Sequence, residues 1–171
     1  MTKTISFRDD ILPMKNMLFR LALRITLDRT EAEDIVQETL IKVWNRRNSW
    51  AEIDSIEAFC TAICKNLALD HARRNSRLSE TVFAVPEDKA DSSSTPYEQT
   101  LQNDRIDLVR RLVNALPEKQ RACMQLRDFE GKAYKEIAEM MGISEEQVKI
   151  NIFRARQSIK QKFNDYDNYG L

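Results

Sequence analysis

Apolar side chains recur at helical spacing along most of the chain, and no segment alternates as a half-buried strand would. In the first half, this pattern predicts a helix over about 13–27. A capping box formed by Thr30 and Glu33 predicts the start of a second helix, and Asp54 with Glu57 predicts a third. We therefore expect a small all-helical unit, with Val36, Leu40, Val43 and Trp44 on the apolar face of its second helix.

The second half predicts another group of helices that ends in a helix-turn-helix. One stripe covers 106–116, and the next helix extends from Pro117 to about Phe129, with Gly131 following it in the left-handed C′ position. The segment 134–149 then carries a small residue and a turn residue four apart, Ala138 and Gly142, as this motif requires. An ordinary helical hairpin is the alternative for this segment.

The second helix of this motif has its own start signal and an outward face. Ser144 is a predicted N-cap with Gln147 closing the box. Ala133, before the first helix, has no side-chain oxygen and cannot cap the helix. The helix therefore lacks about 1 kcal/mol of stabilisation that a capping residue would give. With the second helix packed through its apolar stripe, basic and apolar side chains point outwards, as in a helix that enters the DNA major groove.

Composition and charge divide the chain into three parts. Three Gly and four Pro in 171 residues favour long helices over a turn-rich β fold. The net charge is zero, yet it is +2 over 1–77, −5 over 78–104 and +3 over 105–171. We therefore predict two small helical domains joined by an acidic, mostly unstructured linker, whose last third from about Tyr97 is compatible with a helix. The net negative charge lies in the linker and both domains are net positive, so zero net charge for the whole chain does not exclude DNA as a partner.

The same composition bears on the cellular location of the protein and on whether it binds a metal or catalyses a reaction. An odd number of cysteines, without a membrane-spanning run or an N-terminal signal, predicts a cytoplasmic protein with no direct membrane insertion. Cys60, Cys64 and His71 share a helix face but lie in a core-like run without a fourth ligand, so we expect no metal. There is no Gly-rich phosphate loop and no nucleophile paired with a base. We expect no cofactor and no enzymatic activity.

Three motifs together resemble the extracytoplasmic-function (ECF) type of bacterial sigma factor. Asp34-Ile-Val-Gln-Glu-Thr-Leu-Ile-Lys-Val-Trp44 resembles the helix of region 2 that docks on the RNA polymerase clamp. The segment from Phe59 to Arg74 resembles the next helix, which faces the minus-ten promoter element. Leu116-Pro-Glu-Lys-Gln-Arg121, Glu136-Ile-Ala138 and the segment 148–156 match the region 4 pattern.

The resemblance implies a partner and two DNA sites. The partner is core RNA polymerase, through the clamp of its largest subunit and its flap, and the residues that would bind it are Asp34, Gln37, Glu38, Ile41 and Lys42. A solvated helix face is the alternative for these residues. The minus-ten bases would be captured by Asn48, Trp50, Asn66, Arg73, Arg74 and Arg77, through stacking and phosphate contacts. Trp50 could equally cover the domain's own core, and the arginines could simply be favourable at a helix C-terminus.

For the minus-thirty-five element, the resemblance implies that the reading helix uses Gln147, Lys149, Ile150, Asn151, Phe153, Arg154 and Arg156. Ile150 stands where a small polar residue is common, and it can make only apolar contact, for example with a thymine methyl. For Arg156, exposed surface charge is the alternative. The acidic linker would either imitate nucleic acid in the RNA path of the polymerase or serve as a plain spacer.

The leading hypothesis is a sigma factor that directs promoter recognition and opening. An autonomous helix-turn-helix regulator is the second hypothesis, but it has no evident use for the stripe from Asp34 to Lys42. A helical adaptor that binds protein rather than DNA is the third. The resemblance also implies an anti-sigma factor that clasps both units.

Overall fold

The chain folds as an all-helical molecule with two groups of helices. The computed structural model describes the backbone of residues 4–78 and 96–168, and side chains over 4–75 and 103–167. Within these ranges there is no strand, and the α-helices are α1 (Lys15–Thr26), α2 (Arg29–Asn45), α3 (Ile56–Leu78), α4 (Pro96–Asn114), α5 (Glu118–Met124), α6 (Tyr134–Met141) and α7 (Glu145–Asn168). The expected all-α class with two helical domains is confirmed.

The first unit is a bundle of α1, α2 and α3. Leu18 and Leu21 of α1, Val43 of α2, and Cys64 and Ala68 of α3 are fully buried in one apolar core. Burial of this kind is the main stabilising term in a small helical domain. A π-helical turn over Phe7–Ile11 and a 3-10 turn over Leu12–Met14 precede the bundle.

Two of the predicted helix starts are wrong by one or two positions. Asp28, not Thr30, is the N-cap of α2: its backbone is extended and its side chain accepts a hydrogen bond from the Glu31 N–H at 3.2 Å. Ser55, not Asp54, caps α3, since its hydroxyl accepts from the Ala58 N–H at 3.1 Å. Capping depends on backbone conformation at one residue, and a sequence with neighbouring polar candidates does not specify which one it is.

The second unit contains the expected helix-turn-helix. Gly142 ends α6 with φ +67° and Gly131 has φ +70°, the left-handed conformation predicted for both. Ser144 and Gln147 form the predicted capping box, with both hydrogen bonds at 3.1 Å. The predicted helix 117–129 is interrupted, because α5 ends at Met124 and continues as a π-helical turn over Gln125–Phe129.

The two units pack directly against each other. Ile137 and Met140 of α6 belong to the same buried cluster as Cys64 and Ala68 of α3. The predicted linker is helical from Pro96, the start of α4, and its segment 79–95 lies outside the described residues.

The start of α6 offers a test of the capping argument. The Ala133 N–H donates to Glu136 Oε2 at 2.9 Å, so one half of a capping box exists, but Ala133 has no oxygen for the other half. We expect Ala133→Ser to raise the free energy of unfolding by about 1 kcal/mol, measured by urea denaturation followed by circular dichroism. Glu139→Ser, an exposed position inside α6, is the control and should give no gain. Equal effects of the two changes would contradict the argument.

Candidate nucleic-acid interface

The predicted polymerase-binding residues form one exposed face of α2. The opposite face of the helix, with Ile35, Val36 and Val43, is buried in the bundle, and this orientation turns the stripe outwards. Ile41 is 59% exposed and lies within this face. The structure places these residues side by side on the surface: Asp34, Gln37, Glu38, Ile41 and Lys42. A polar stripe around an exposed aliphatic residue suits a helix-to-helix protein interface.

Trp44 extends this face, although the sequence pattern placed it on the apolar side of α2. Its ring is 46% exposed and the Arg47 guanidinium lies 4.7 Å from the ring centroid. The period of the helix alone could not show that Trp44 lies at the rim of the core.

Trp50 covers the core of its own domain. It lies in a 3-10 turn over Arg47–Glu52 and is only 8% exposed. Its indole N–H donates to the Val43 carbonyl at 3.0 Å, and the rings of Phe7 and Trp44 pack beside it at 6.5 and 6.1 Å between centroids. This geometry favours a core-covering role for Trp50. Asn48 and Trp44 are exposed in the same region, as are Arg46 and Arg47.

A cleft of about 540 Å³ lies between α2 and α3, next to this loop. Asn66 is exposed at its rim, where its amide can both donate and accept hydrogen bonds. Phe59, Ile63 and Leu67 supply apolar walls, Arg46 and Lys42 supply positive charge, and Asp70 supplies a carboxylate. An apolar slot with an amide and a cation is suited to an unstacked base and its phosphate.

The basic end of α3 lies at a second cleft, of about 730 Å³, between the two units. Arg73 and Arg74 are exposed, and the side chain of Arg77 lies outside the described residues. Arg73 lines this cleft together with Lys119 of α5 and Asn151 of α7. Residues predicted for the two different promoter elements therefore meet in one cleft.

The outward face of α7 is partly apolar. Val148, Ile152 and Ala155 are buried and fix the rotation of the helix. Phe153 is 63% exposed and Ile150 is 46% exposed. Exposed apolar side chains that lie close together are typical of an interaction surface.

Some polar residues of this face form hydrogen bonds or ion pairs within the protein, and others project from the helix. The Asn151 amide donates to the Gln147 carbonyl at 2.8 Å, and the Gln147 side chain accepts from the Ser144 N–H. Arg156 forms a two-pronged pair with Asp128, which ties α7 to the turn after α5. Lys149 lies over the Tyr134 ring, while the exposed Arg154 projects from the helix.

The cysteines are core residues in this fold. Burial raises the pKa of the Cys60 and Cys64 thiols to about 12, so both remain protonated at neutral pH. The Cys64 thiol donates to the Leu18 carbonyl at 3.4 Å. His71 contacts Glu31 and Asn75 instead of the thiols. A metal binds thiolate rather than thiol, and among the described residues no His, Cys, Asp and Glu group is arranged to hold one.

Comparison with known proteins decides the family. The family models for sigma-70 region 2 and sigma-70 region 4 match residues 11–78 and 106–159. The ECF RNA polymerase sigma factor SigL of Mycobacterium tuberculosis is 30% identical over 145 residues, which cover 84% of this chain and 81% of SigL. The chain belongs to the ECF sigma factor family.

Other relatives agree with this assignment. The ECF sigma factor SigE of Mycolicibacterium smegmatis is 29% identical over 84% of this chain, but the chain spans only 56% of the length of SigE. The sigma factor RpoE of Bartonella quintana, solved in complex with the anti-sigma factor NepR, has a similar fold. Its TM-score is 0.71 at 23% identity, over 92% of this chain and 96% of that one. In the part of this sigma factor that the structure describes, no helix is long and apolar enough to cross a membrane.

The burial of Trp50 leads to a stability prediction. We expect Trp50→Ala to lower the free energy of unfolding by about 3–5 kcal/mol, because it leaves a cavity and removes the hydrogen bond to Val43. Trp44→Ala, at the exposed ring beside it, should cost less than half of that. Urea denaturation followed by circular dichroism measures both. If Trp50→Ala left the free energy of unfolding unchanged but abolished promoter opening, the result would favour the other alternative, in which Trp50 stacks on a minus-ten base.

Proposed function

We propose that this chain is a sigma factor: it binds core RNA polymerase and directs promoter recognition and opening. The observation that carries the proposal is that one chain has two outward-facing surfaces. One is the α2 stripe around Ile41, and the other is the helix-turn-helix with its exposed Phe153. A regulator that acts alone has no evident use for the first surface, and a protein adaptor has none for the second. The chain contributes recognition, and the polymerase performs the chemistry, so no enzymatic activity of its own is proposed.

The proposed roles follow the three parts of the chain. Residues 1–77 bind the polymerase clamp and the minus-ten element, and 105–171 contact the flap and the minus-thirty-five element. Residues 78–104 connect the two domains. The protein works in the cytoplasm, where the polymerase is, and an anti-sigma factor is a further proposed partner. The complex of the Bartonella quintana sigma factor with NepR supports this last point.

Promoter opening requires pulling bases out of the stack, which costs a few kcal/mol per base unless the protein accepts them. The cleft between α2 and α3 is the proposed acceptor, with Asn66 reading the base edge and Arg46 near its phosphate. Asn48 contributes from the neighbouring loop, and Arg73, Arg74 and Arg77 neutralise phosphates along the strand. Trp50 supports this site from inside the core.

Recognition of the upstream element is proposed for α7. Phe153 and Ile150 provide apolar contacts to thymine methyl groups, and Arg154 with Lys149 holds phosphates or base edges. Gln147, Asn151 and Arg156 already have partners within the protein, and their proposed contacts require rearrangement or use the remaining donors.

Run-off transcription tests the proposal directly. Purified core polymerase is incubated with a library of genomic promoter fragments, with and without the chain, and the transcripts are sequenced. We expect a defined set of start sites that depends on the chain. No dependent transcript, together with tight DNA binding by the chain alone, would overturn the proposal in favour of an autonomous regulator.

A single arginine tests the upstream contact. We expect Arg154→Ala to weaken binding of the holoenzyme to those promoters by about 1–3 kcal/mol, measured by fluorescence anisotropy, because it removes a phosphate or base contact. Lys162→Ala removes the same charge farther along α7 and is the matched control, with a smaller expected loss. Equal binding by both variants would favour the adaptor hypothesis.

Charge reversal tests the polymerase face. We expect Asp34→Lys with Glu38→Lys to weaken core polymerase binding roughly tenfold or more, because the interface would lose two anionic contacts and gain two like charges. Co-purification with tagged core polymerase measures the effect, and circular dichroism confirms the fold. Asp165→Lys with Asp167→Lys, at exposed positions near the end of α7, is the matched control. Full co-purification of the α2 variant would refute the assigned face.

A further inference from the structure

A buried arginine lies at the contact between the two units. Arg121 of α5 is 7% exposed, and its guanidinium reaches across to the end of α1. Its Nε donates to the Arg24 carbonyl at 3.0 Å and its Nη2 to the Ile25 carbonyl at 2.7 Å. Its Nη1 donates within its own unit, to the carbonyls of Asn114 and Leu116 at 3.0 and 2.8 Å.

The two acceptors on α1 are groups that the helix itself leaves free. The last four carbonyls of an α-helix have no partner inside it, and that end of the helix carries partial negative charge. Among the last four carbonyls of α1, that of Leu23 accepts from the Leu27 N–H. The carbonyls of Arg24 and Ile25 accept from Arg121, which therefore satisfies two of the free carbonyls at the end of a helix in the other unit.

A second contact repeats this arrangement in the opposite direction. Lys65 of α3 is 8% exposed, and its ammonium donates to the carbonyl of Met141, the last residue of α6, at 3.3 Å. Each unit thus supplies a cation to a helix end of its partner unit. The Arg20 side chain adds a two-pronged pair with Glu130 at 2.6 and 2.8 Å, and Lys132 pairs with Glu57.

This packing is incompatible with binding both promoter elements at once. The minus-ten and minus-thirty-five elements are about 25 base pairs apart, or roughly 85 Å at 3.4 Å per base pair. In the structure, Arg73 and Asn151 line one cleft between the units. The units must therefore separate before the chain can occupy a promoter.

We propose that Arg121 is an interdomain latch, which by satisfying two free carbonyls at the C-terminal end of α1 holds the free chain in a closed state unable to bind both promoter elements. The proposal rests on the proposed sigma function for its biological meaning, but the closed state is measurable without DNA or polymerase. Lys65 and the pair of Arg20 with Glu130 support the same closure.

The experiment measures the distance between the units in the full chain. Spin labels are attached to cysteines introduced at Thr30 on α2 and Gln161 on α7, both exposed, while the native cysteines are buried. Pulsed electron resonance then gives the distance distribution. We expect one short distance in the otherwise wild-type chain and roughly a tenfold rise in the ratio of open to closed molecules for Arg121→Met.

Arg127→Met is the matched control. Arg127 is a half-buried arginine that likewise donates to a backbone carbonyl, that of Lys132, but both residues lie in the second unit. Both variants lose one positive charge, so their non-specific affinity for DNA falls equally. We expect only Arg121→Met to bind a fragment carrying both promoter elements more tightly, by roughly tenfold relative to Arg127→Met.

A second variant keeps the test decisive if Arg121→Met fails to fold. Glu130→Lys sets a cation against Arg20 and should open the units, and the swap of Arg20→Glu with Glu130→Lys should close them again. Wide separation in the wild-type chain, a short distance in folded Arg121→Met, or no opening in Glu130→Lys would each overturn the proposal. Opening without any promoter-dependent gain would support the latch while counting against the proposed sigma function.

Discussion

The guanidinium of Arg121 is the point on which the arrangement of the two units depends. A buried charge is tolerated only when its donors are satisfied, and four backbone carbonyls do this, two at the end of α1 and two where α4 turns into α5. The end of α1, the turn between α4 and α5, and α5 itself are thereby fixed relative to one another. Burial lowers the pKa of Arg121 from its ordinary value, and the surrounding carbonyl dipoles offset the cost of holding the charge there.

The closed packing affects the functional surfaces unequally. The stripe of α2 faces away from the second unit and remains exposed, with Ile41 at the surface. Arg73 and Asn151, in contrast, line the cleft between the units. Under the proposed sigma function, core polymerase would therefore bind the closed chain first, and the energy of that contact would be available to separate the units. The low net charge of the chain reinforces this order, because it gives the free protein little non-specific hold on DNA.

The sequence was sufficient for the helical class, the helix-turn-helix with its two left-handed glycines, and the outward stripe of α2, because each follows from local periodicity or turn chemistry. It did not distinguish Asp28 from Thr30 as a cap, since both are good capping residues next to the helix start. It also left the role of Trp50 open, because that depends on Phe7 and Val43, which only the folded chain brings to it. The contacts between the units were not anticipated at all. Arg121 belongs to the region 4 motif and Lys65 to a helical pattern, but neither position reveals its acceptors in the other unit, because these are backbone atoms.

The backbone character of those acceptors has an evolutionary consequence. No side-chain replacement at Arg24, Ile25 or Met141 removes the carbonyl that accepts the hydrogen bond. Ile25 and Met141 can therefore change while these hydrogen bonds persist, and no compensating exchange is required on the other side. Arg24 differs, because its side chain also donates across the units to Gln125 at 2.9 Å and to Asn114 at 3.2 Å. A contact between a side chain and a backbone carbonyl produces no pair of correlated substitutions. Methods that search aligned relatives for covarying positions would therefore not detect it. Its strength can be tuned in a lineage only at the cation.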